Sequence, residues 1–241
     1  IYVHLWVTPL GPPIFEWLVR KLSKKIVYDI DDMIYKSEGS AMNNLIHLLK
    51  GKNKSIALMK YADHVITCTP DLNEFARQFC AHCTDISSTL DTERMFPVNS
   101  YSNEKPPVIG WTGTHSTVPY LYLLTSAFQQ LAKERAFKLR VIGNFKFHMD
   151  GVDYEYLDWS KDEEAKQLQG MDIGVYPLPT DAWVMGKSGL KALTYMTFAL
   201  PVVATNVGAA INRVITDNVN GFLVKSEEEW IEKLKYLIDH P

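Results

Sequence analysis

Val108-Ile109-Gly110-Trp111-Thr112-Gly113-Thr114-His115-Ser116-Thr117-Val118 is the stretch that decides the fold. An apolar, β-branched run ends in glycine and small hydroxyl residues, and the apolar spacing then becomes helical over about 118–133. A strand that turns through glycine into a helix is the opening of a βαβ unit. The same alternation continues on both sides of it. Toward the C-terminus, 139–142, 152–157, 173–176, 202–205 and 222–224 read as strands, and 163–168, 190–198, 209–215 and 227–238 as helices. Toward the N-terminus, 1–7, 26–30, 64–68 and 86–90 read as strands, with 1–7 buried, and 14–22, 43–61 and 70–79 as helices.

This pattern predicts an α/β protein with parallel sheets in two Rossmann-like domains. The alternation lapses where Pro97, Asn99, Ser100, Ser102, Asn103, Pro106 and Pro107 cluster. The expected division is a partial N-terminal domain over 1–98, a linker over 99–107 and a C-terminal domain over 108–241. The first domain has fewer strands than the second, and the chain opens on Ile1 rather than Met, so it reads as a piece of a longer protein.

The 241 residues are 46% hydrophobic and 22% charged, which excludes disorder for most of the chain. A formal net charge of −3 argues against general nucleic-acid binding. No apolar run approaches the roughly 18–20 residues of a membrane span. The three cysteines, Cys68, Cys80 and Cys83, with no leader pattern, predict a reducing, cytoplasmic setting. Cys80-Ala-His82-Cys83 has no second cysteine pair to complete a zinc site and reads as structural.

Ligands of open α/β sheets bind beyond the carboxyl ends of strands. Three junctions there carry chemistry. At Gly113–Thr117, small residues admit a ligand to the backbone, and free N–H groups at a helix start suit phosphate. An ordinary glycine turn is the alternative. At Gly186–Tyr195, a helix running through Lys187 would set Lys187, Lys191 and Thr194 on one face, with two cations near its N-terminus. Like charges there are unfavourable unless an anion lies between them, or unless the face is simply solvated. At Asp29-Ile30-Asp31-Asp32, carboxylates at a strand end suit a divalent metal, sugar hydroxyls or a proton, or cap a turn. Lysines and Arg20 make the first half locally basic, as a lipid-facing or a solvated surface would be.

Taken in order, further motifs join these. They are Val27-Tyr28-Asp29-Ile30-Asp31-Asp32, Ile109-Gly110-Trp111-Thr112-Gly113 and Asp172-Ile173-Gly174-Val175-Tyr176-Pro177-Leu178. Gly186-Lys187, Lys191, Tyr195-Met196, Pro201-Val202-Val203-Ala204 and Asn220-Gly221-Phe222-Leu223 follow. The series resembles the GT-B glycosyltransferases of family 4, also called group 1 glycosyltransferases. The resemblance covers essentially the whole chain and is strongest over 109–237.

It implies two facing Rossmann-like domains, with the acceptor site mostly N-terminal and a nucleotide-sugar site C-terminal. It implies retaining, metal-independent transfer with no cofactor beyond the nucleotide-diphosphate sugar itself. By position, Gly113 and Thr114 would approach the donor diphosphate, and Lys187 and Lys191 would neutralise the leaving phosphate. Asp31 and Asp32 would face the cleft, and Asp158 and Trp159 would lie where the nucleobase passes. Many relatives carry two glutamates whose places, counted back from Pro201, fall on Gly186 and Thr194. Neither is acidic here, so Thr194 would make a weaker ribose contact and Gly186 none through a side chain.

The implied function is transfer of a sugar to a saccharide, lipid or small-molecule acceptor in surface polysaccharide synthesis. The implied partners are the donor, a saccharide or lipid-linked acceptor and the inner face of a membrane, but not nucleic acid. A non-catalytic nucleotide-sugar-binding protein, a GT-B epimerase and a GT-B phosphorylase stay open. A metal-dependent GT-A enzyme fits less well, because that fold lacks the second alternating pattern after Pro107.

Overall fold

The computed structural model describes residues 1–8, 11–36, 52–97, 106–181 and 184–241. The chain forms two compact units. One holds Ile1–Ser88, Asp181–Ser188 and Gly208–Ala210; the other holds Thr89–Thr180, Gly189–Val207 and Ile211–Pro241.

The first unit contains β1 (Tyr2–His4), α1 (Ile14–Leu22), β2 (Val27–Ile30), α2 (Lys52–Tyr61), β3 (His64–Thr67), α3 (Pro70–Arg77) and β4 (Cys83–Asp85). The strands lie parallel in the order β1-β2-β3-β4. Alternate residues of β2 and β3 are buried, and Tyr28, Ile30 and Val65 pack with Leu58, Met59, Leu72 and Ala76 into one core. Helix α3 starts where Thr69 Oγ1 accepts from the Leu72 amide at 3.1 Å, with Pro70 in its first turn. That cap satisfies one of the donors a helix start leaves without a partner.

Two sequence expectations change here. The strand over 1–7 is only Tyr2–His4, and of these only Val3 is buried. Leu5 takes a left-handed φ of 61°, which ends the extended run. The strand expected over 86–90 lies instead at Cys83–Asp85, paired from Val65↔Cys83 to Thr67↔Asp85. The ladder closes with the Ile86 amide donating to Thr67 O at 2.7 Å, and the Ile86 side chain is exposed. Cys80 and Cys83 are free and buried, as structural cysteines are. Residues 43–51 of the helix expected over 43–61, and 99–105 of the expected linker, lie outside the described residues.

The second unit contains β5 (Val108–Thr112), α4 (Val118–Leu121), α5 (Thr125–Glu134), β6 (Lys138–Gly143), β7 (Tyr154–Asp158), α6 (Glu164–Gln169), β8 (Ile173–Tyr176), α7 (Leu190–Thr197), β9 (Val202–Thr205), α8 (Ala209–Val214), β10 (Gly221–Val224) and α9 (Glu227–Asp239). Residues of α8 before Ile211 group with the first unit. All six strands are parallel, in the order β10-β9-β8-β5-β6-β7. Every residue of β8 and β9 is buried, as expected for strands covered on both faces. Trp111, Phe128, Leu131, Leu139, Val141, Val175, Val203, Trp230 and Leu234 share the core.

The single helix expected over 118–133 is instead α4, a 3-10 turn at Tyr122–Leu124, and α5. At the restart, Thr125 Oγ1 donates back to Tyr122 O at 2.8 Å. Such back-bonding competes with the regular helical ladder. At the other end of the unit, α9 is capped by Ser226, whose Oγ accepts from the Glu229 amide at 3.3 Å. No helix of the described residues is long and apolar enough to cross a membrane.

The strand order is what positions a site. From β5 the chain builds outward through β6 and β7, then returns to the other side of β5 for β8, β9 and β10. The two crossover directions separate at the carboxyl ends of β5 and β8. In doubly wound sheets that point opens a crevice for ligands.

Candidate functional site

In the second unit, β5 ends at Thr112 and the turn Gly113–Thr117 crosses the switch point. Its polar groups bond one another. The Gly113 amide donates to Ile142 O and the Thr114 amide to Thr117 Oγ1, each at 3.0 Å. Thr114 Oγ1 lies 2.9 Å from Ser116 Oγ. The free amides expected of Gly113 and Thr114 are therefore already engaged, and the exposed hydroxyls of Thr114 and Ser116 form the polar surface. A Cβ on Gly113 would overlap the Trp111 ring and come within 2.7 Å of Thr117 Oγ1. Only glycine lets the chain cross there without moving that ring.

Lys191 stands in the first turn of α7. Its Nζ lies 4.7 Å from the centre of the Trp111 ring, 5.9 Å from that of Tyr176, and 3.4 Å from Thr117 Oγ1. Ring faces attract a cation without cancelling its charge. Trp111 is fully buried, and Tyr195, also buried, accepts the Thr112 amide on its hydroxyl at 3.0 Å. The end of β5 and the start of α7 are thus fixed to each other, with an ammonium between them at the switch point.

Thr194 lies one turn on from Leu190 and is buried; its hydroxyl donates to Leu190 O at 2.9 Å. Its proton is engaged within the helix, which leaves only acceptor capacity. Asp158 and Trp159 follow the edge strand β7 at the same carboxyl edge of the sheet. Both are exposed; Asp158 O accepts from Gln167 Nε2 at 2.8 Å, and the Trp159 amide donates to Gly143 O at 3.2 Å.

Lys187 does not share a helix face with Lys191. Gly189 caps α7 with φ 79°, and the helix starts only at Leu190. A left-handed residue breaks the helical path, so Lys187 falls in the preceding turn. It groups with the first unit, where its Nζ pairs with Asp32 Oδ1 at 3.0 Å and Oδ2 at 3.4 Å. Gly186 ends the 3-10 turn Val184–Gly186 and is buried; a Cβ there would come 2.7 Å from Met33 Cγ. A glutamate at that place would require Met33 to move.

The three aspartates at the carboxyl end of β2 diverge. Asp29 accepts the Tyr2 hydroxyl and lies 3.3 Å from His4 Nδ1. Asp31 offers its backbone carbonyl to Cys68 Sγ at 3.0 Å and exposes its side chain, and Asp32 meets Lys187. Among the described residues, no group of three or more His, Cys, Asp or Glu side chains could hold a metal ion. The trio suggested by the sequence is therefore not gathered. Burial first, then the charges of Asp31, Asp32 and Asp85, push the Cys68 thiol up to about 12. Asp71 completes this edge by accepting the Ala209 amide at 2.9 Å.

Sequence reasoning missed Trp111 and Tyr176 as the seat of Lys191, and Asp71 as an anchor. An aromatic within the last two residues of each of two neighbouring strands, beside a lysine-bearing helix start, was the available signal for the first two. Nothing in the sequence pointed to Asp71.

Residues 106–240 match the family described as "Glycosyl transferases group 1". Among solved structures, TarM of S. aureus superposes with a TM-score of 0.67 at 15% identity, over 89% of this chain and 43% of TarM. HepE of Anabaena gives 0.65 at 16% identity, over 90% of this chain and 62% of HepE. The lipopolysaccharide outer core galactosyltransferase WaaB gives 0.61 at 13% identity, over 93% of this chain and 69% of WaaB. The chain thus spans less than half the length of TarM. No curated protein matches it. These likenesses establish the two-sheet GT-B architecture.

Proposed function

The chain belongs to the glycosyl transferases group 1 family, and from that premise we propose that the protein transfers a sugar from a nucleoside-diphosphate sugar with retention of anomeric configuration, without a metal. The acceptor is a saccharide or a lipid-linked sugar reached at the inner face of a membrane, in surface polysaccharide synthesis. The single observation that carries this reading is Lys191, held over Trp111 at the switch point of the six-stranded sheet. Ring faces attract a cation and orient it without themselves carrying a formal charge, so they can set an ammonium where a diphosphate would lie.

Departure of a nucleoside diphosphate concentrates negative charge on the leaving oxygen. A preorganised cation stabilises that charge more than it stabilises the bound donor, which is what accelerates a reaction. In this reading Lys191, with Lys187, neutralises the leaving diphosphate, while the Thr114 hydroxyl contacts its oxygens and Gly113, without a side chain, lets the diphosphate pass close to the backbone. Asp158 and Trp159 contact the nucleobase, Thr194 accepts a bond from the ribose, and Gly186 borders the sugar. Asp31 and Asp32 face the hydroxyl-rich acceptor, for which carboxylates are good hydrogen-bond acceptors. The HepE structure holds UDP and glucose, which makes uridine the first base to try.

Calorimetry of the chain with UDP, GDP and dTDP tests the donor site. Binding of at least one at or below about 1 mM is expected, about 4 kcal/mol of affinity. No heat from any of them at that concentration overturns the reading. A second reading, a nucleotide-sugar-binding protein without turnover, is favoured by Gly186, where Met33 leaves no room for an acidic side chain. Release of nucleoside diphosphate from a bound donor, in the presence of acceptor, eliminates that alternative.

A further inference from the structure

Tyr156 of β7 stands in one row with Val141 of β6 and Trp111 of β5, since Trp111 pairs with Val141 and Val141 with Tyr156. Residues paired in register share a face of the sheet, so the two aromatic rings rise from the same side, two strands and about 10 Å apart. Phe145, from the turn after β6, spans that gap. Its ring centre lies 5.9 Å from that of Trp111 and 5.6 Å from that of Tyr156, at interplanar angles of 69° and 66°. Edge-to-face pairs of this kind fix the angle of a ring as well as its distance.

The Tyr156 hydroxyl sets where Phe145 stands. It donates to Gly143 O at 2.5 Å and accepts the Phe145 amide at 2.8 Å, so both of its hydrogen-bonding roles hold peptide groups of one short turn. Gly143 O also accepts the Trp159 amide at 3.2 Å and would keep that partner if the hydroxyl were removed. The loss would fall on the Phe145 amide. Gly143 makes the arrangement possible, because a Cβ there would come 2.0 Å from Phe145 Cε1 and 2.7 Å from Gly113 O. Phe145 thus folds back over the end of β6, beside the turn that begins at Gly113.

These contacts end at a charge. Lys191 Nζ lies 4.7 Å from the centre of the Trp111 ring, and the attraction of a cation to a ring depends on where the ring face points. Trp111 is fully buried, and its ring is held at Gly113, where a Cβ would come 2.2 Å from Trp111 Cη2, and at Phe145. Phe145 is the one of these two supports that the Tyr156 hydroxyl controls.

On the donor reading above, we propose that Tyr156 is a positioning residue for Lys191. Its hydroxyl closes the turn after β6, sets Phe145 against Trp111, and so fixes the ring that seats the Lys191 ammonium where the diphosphate of the donor would lie. Tyr156 acts through two intervening rings, and what it governs is affinity for the diphosphate rather than for the nucleoside.

The test compares Tyr156→Phe, which removes one oxygen and keeps the ring, with Phe145→Leu, which keeps the hydroxyl and removes the bridging ring. NMR of the chain labelled at lysine Cε reads the Lys191 signal, assigned through Lys191→Ala. The ring current of Trp111 displaces that signal in the unaltered chain, and both variants should return it toward the position of an exposed lysine, with circular dichroism unchanged. In titrations with UDP followed by NMR, each variant should raise Kd about tenfold when Lys191 is present and leave it unchanged in the Lys191→Ala background, since a residue acting through the lysine has nothing to act on once it is gone. Affinity for uridine should stay the same. A Lys191 signal that neither variant moves, or a loss of UDP affinity that is equal with and without Lys191, overturns the proposal. A change in Phe145→Leu but not in Tyr156→Phe overturns the role of the hydroxyl and leaves only ring packing. If Tyr156→Phe fails to fold, Phe145→Leu carries the same two readouts. A Lys191 signal that moves in a chain that binds no UDP, GDP or dTDP upholds the positioning and overturns only the donor reading.

Discussion

The carboxyl edges of the two sheets differ in how each treats its lysine. In the first unit Lys187 meets a carboxylate, Asp32, at 3.0 Å, and the local field is negative enough to help raise the Cys68 thiol. In the second unit Lys191 meets the ring of Trp111 at 4.7 Å and the Thr117 hydroxyl at 3.4 Å, partners that carry no formal charge. The two lysines stand four residues apart in the sequence. In the proposed reading the second setting attracts a diphosphate more strongly than the first, where a carboxylate already meets the lysine. The difference teaches that the partners of a lysine, rather than its presence, decide which edge of an α/β unit takes an anion.

The largest expected effect breaks the comparison at its stronger end. Lys191→Ala should lower kcat by roughly 100-fold, about 3 kcal/mol, if the leaving diphosphate relies on it. Steady-state kinetics with the donor checks this, and unchanged kcat would remove Lys191 from the chemistry. Lys187→Ala should cost less, about tenfold, because Asp32 already neutralises part of its charge. Asp32→Asn sharpens the point in the opposite direction. Freed from the carboxylate, Lys187 should tighten nucleoside-diphosphate binding by a few-fold, about 1 kcal/mol, in calorimetry. Weaker binding in that variant would instead make Asp32 a direct contact of the donor.

A smaller effect probes the device that separates the two lysines. Gly189→Ala places a Cβ at φ 79°, which should cost about 1–2 kcal/mol in urea unfolding. An unchanged midpoint would mean the left-handed cap carries no strain for alanine.

The fold was legible because its signal is periodic. β8 at Ile173–Tyr176 and β9 at Val202–Thr205 fall on the expected residues, since buried parallel strands are short uninterrupted apolar runs with turn residues at their ends. The site was legible only as residue types. Lys187 and Lys191 were both visible, but their separation depends on one backbone angle at Gly189 that apolar spacing does not encode. The strand at Cys83–Asp85 escaped for a related reason: its register is set by pairing with Val65–Thr67, a contact distant in sequence.

The smallest expected effect reads the negative edge through Cys68. With its thiol pushed up to about 12 by burial and then by Asp31, Asp32 and Asp85, the folded chain holds this proton well above pH 9, where an exposed thiol would lose it. Between those limits the native state binds more protons than the unfolded state. Stability contributed by this group is therefore complete below about pH 8.5 and declines as pH rises toward 12. Alkylation of Cys68 by iodoacetamide at pH 8.5 should accordingly be slow in the folded chain and fast in urea, because only the thiolate reacts. Asp32→Asn removes one of the charges that resist ionisation and should speed the folded-state reaction by a few-fold; an unchanged rate would mean that the negative edge at Asp32 does not reach the thiol, and the contrast between Lys187 and Lys191 would lose its electrostatic basis.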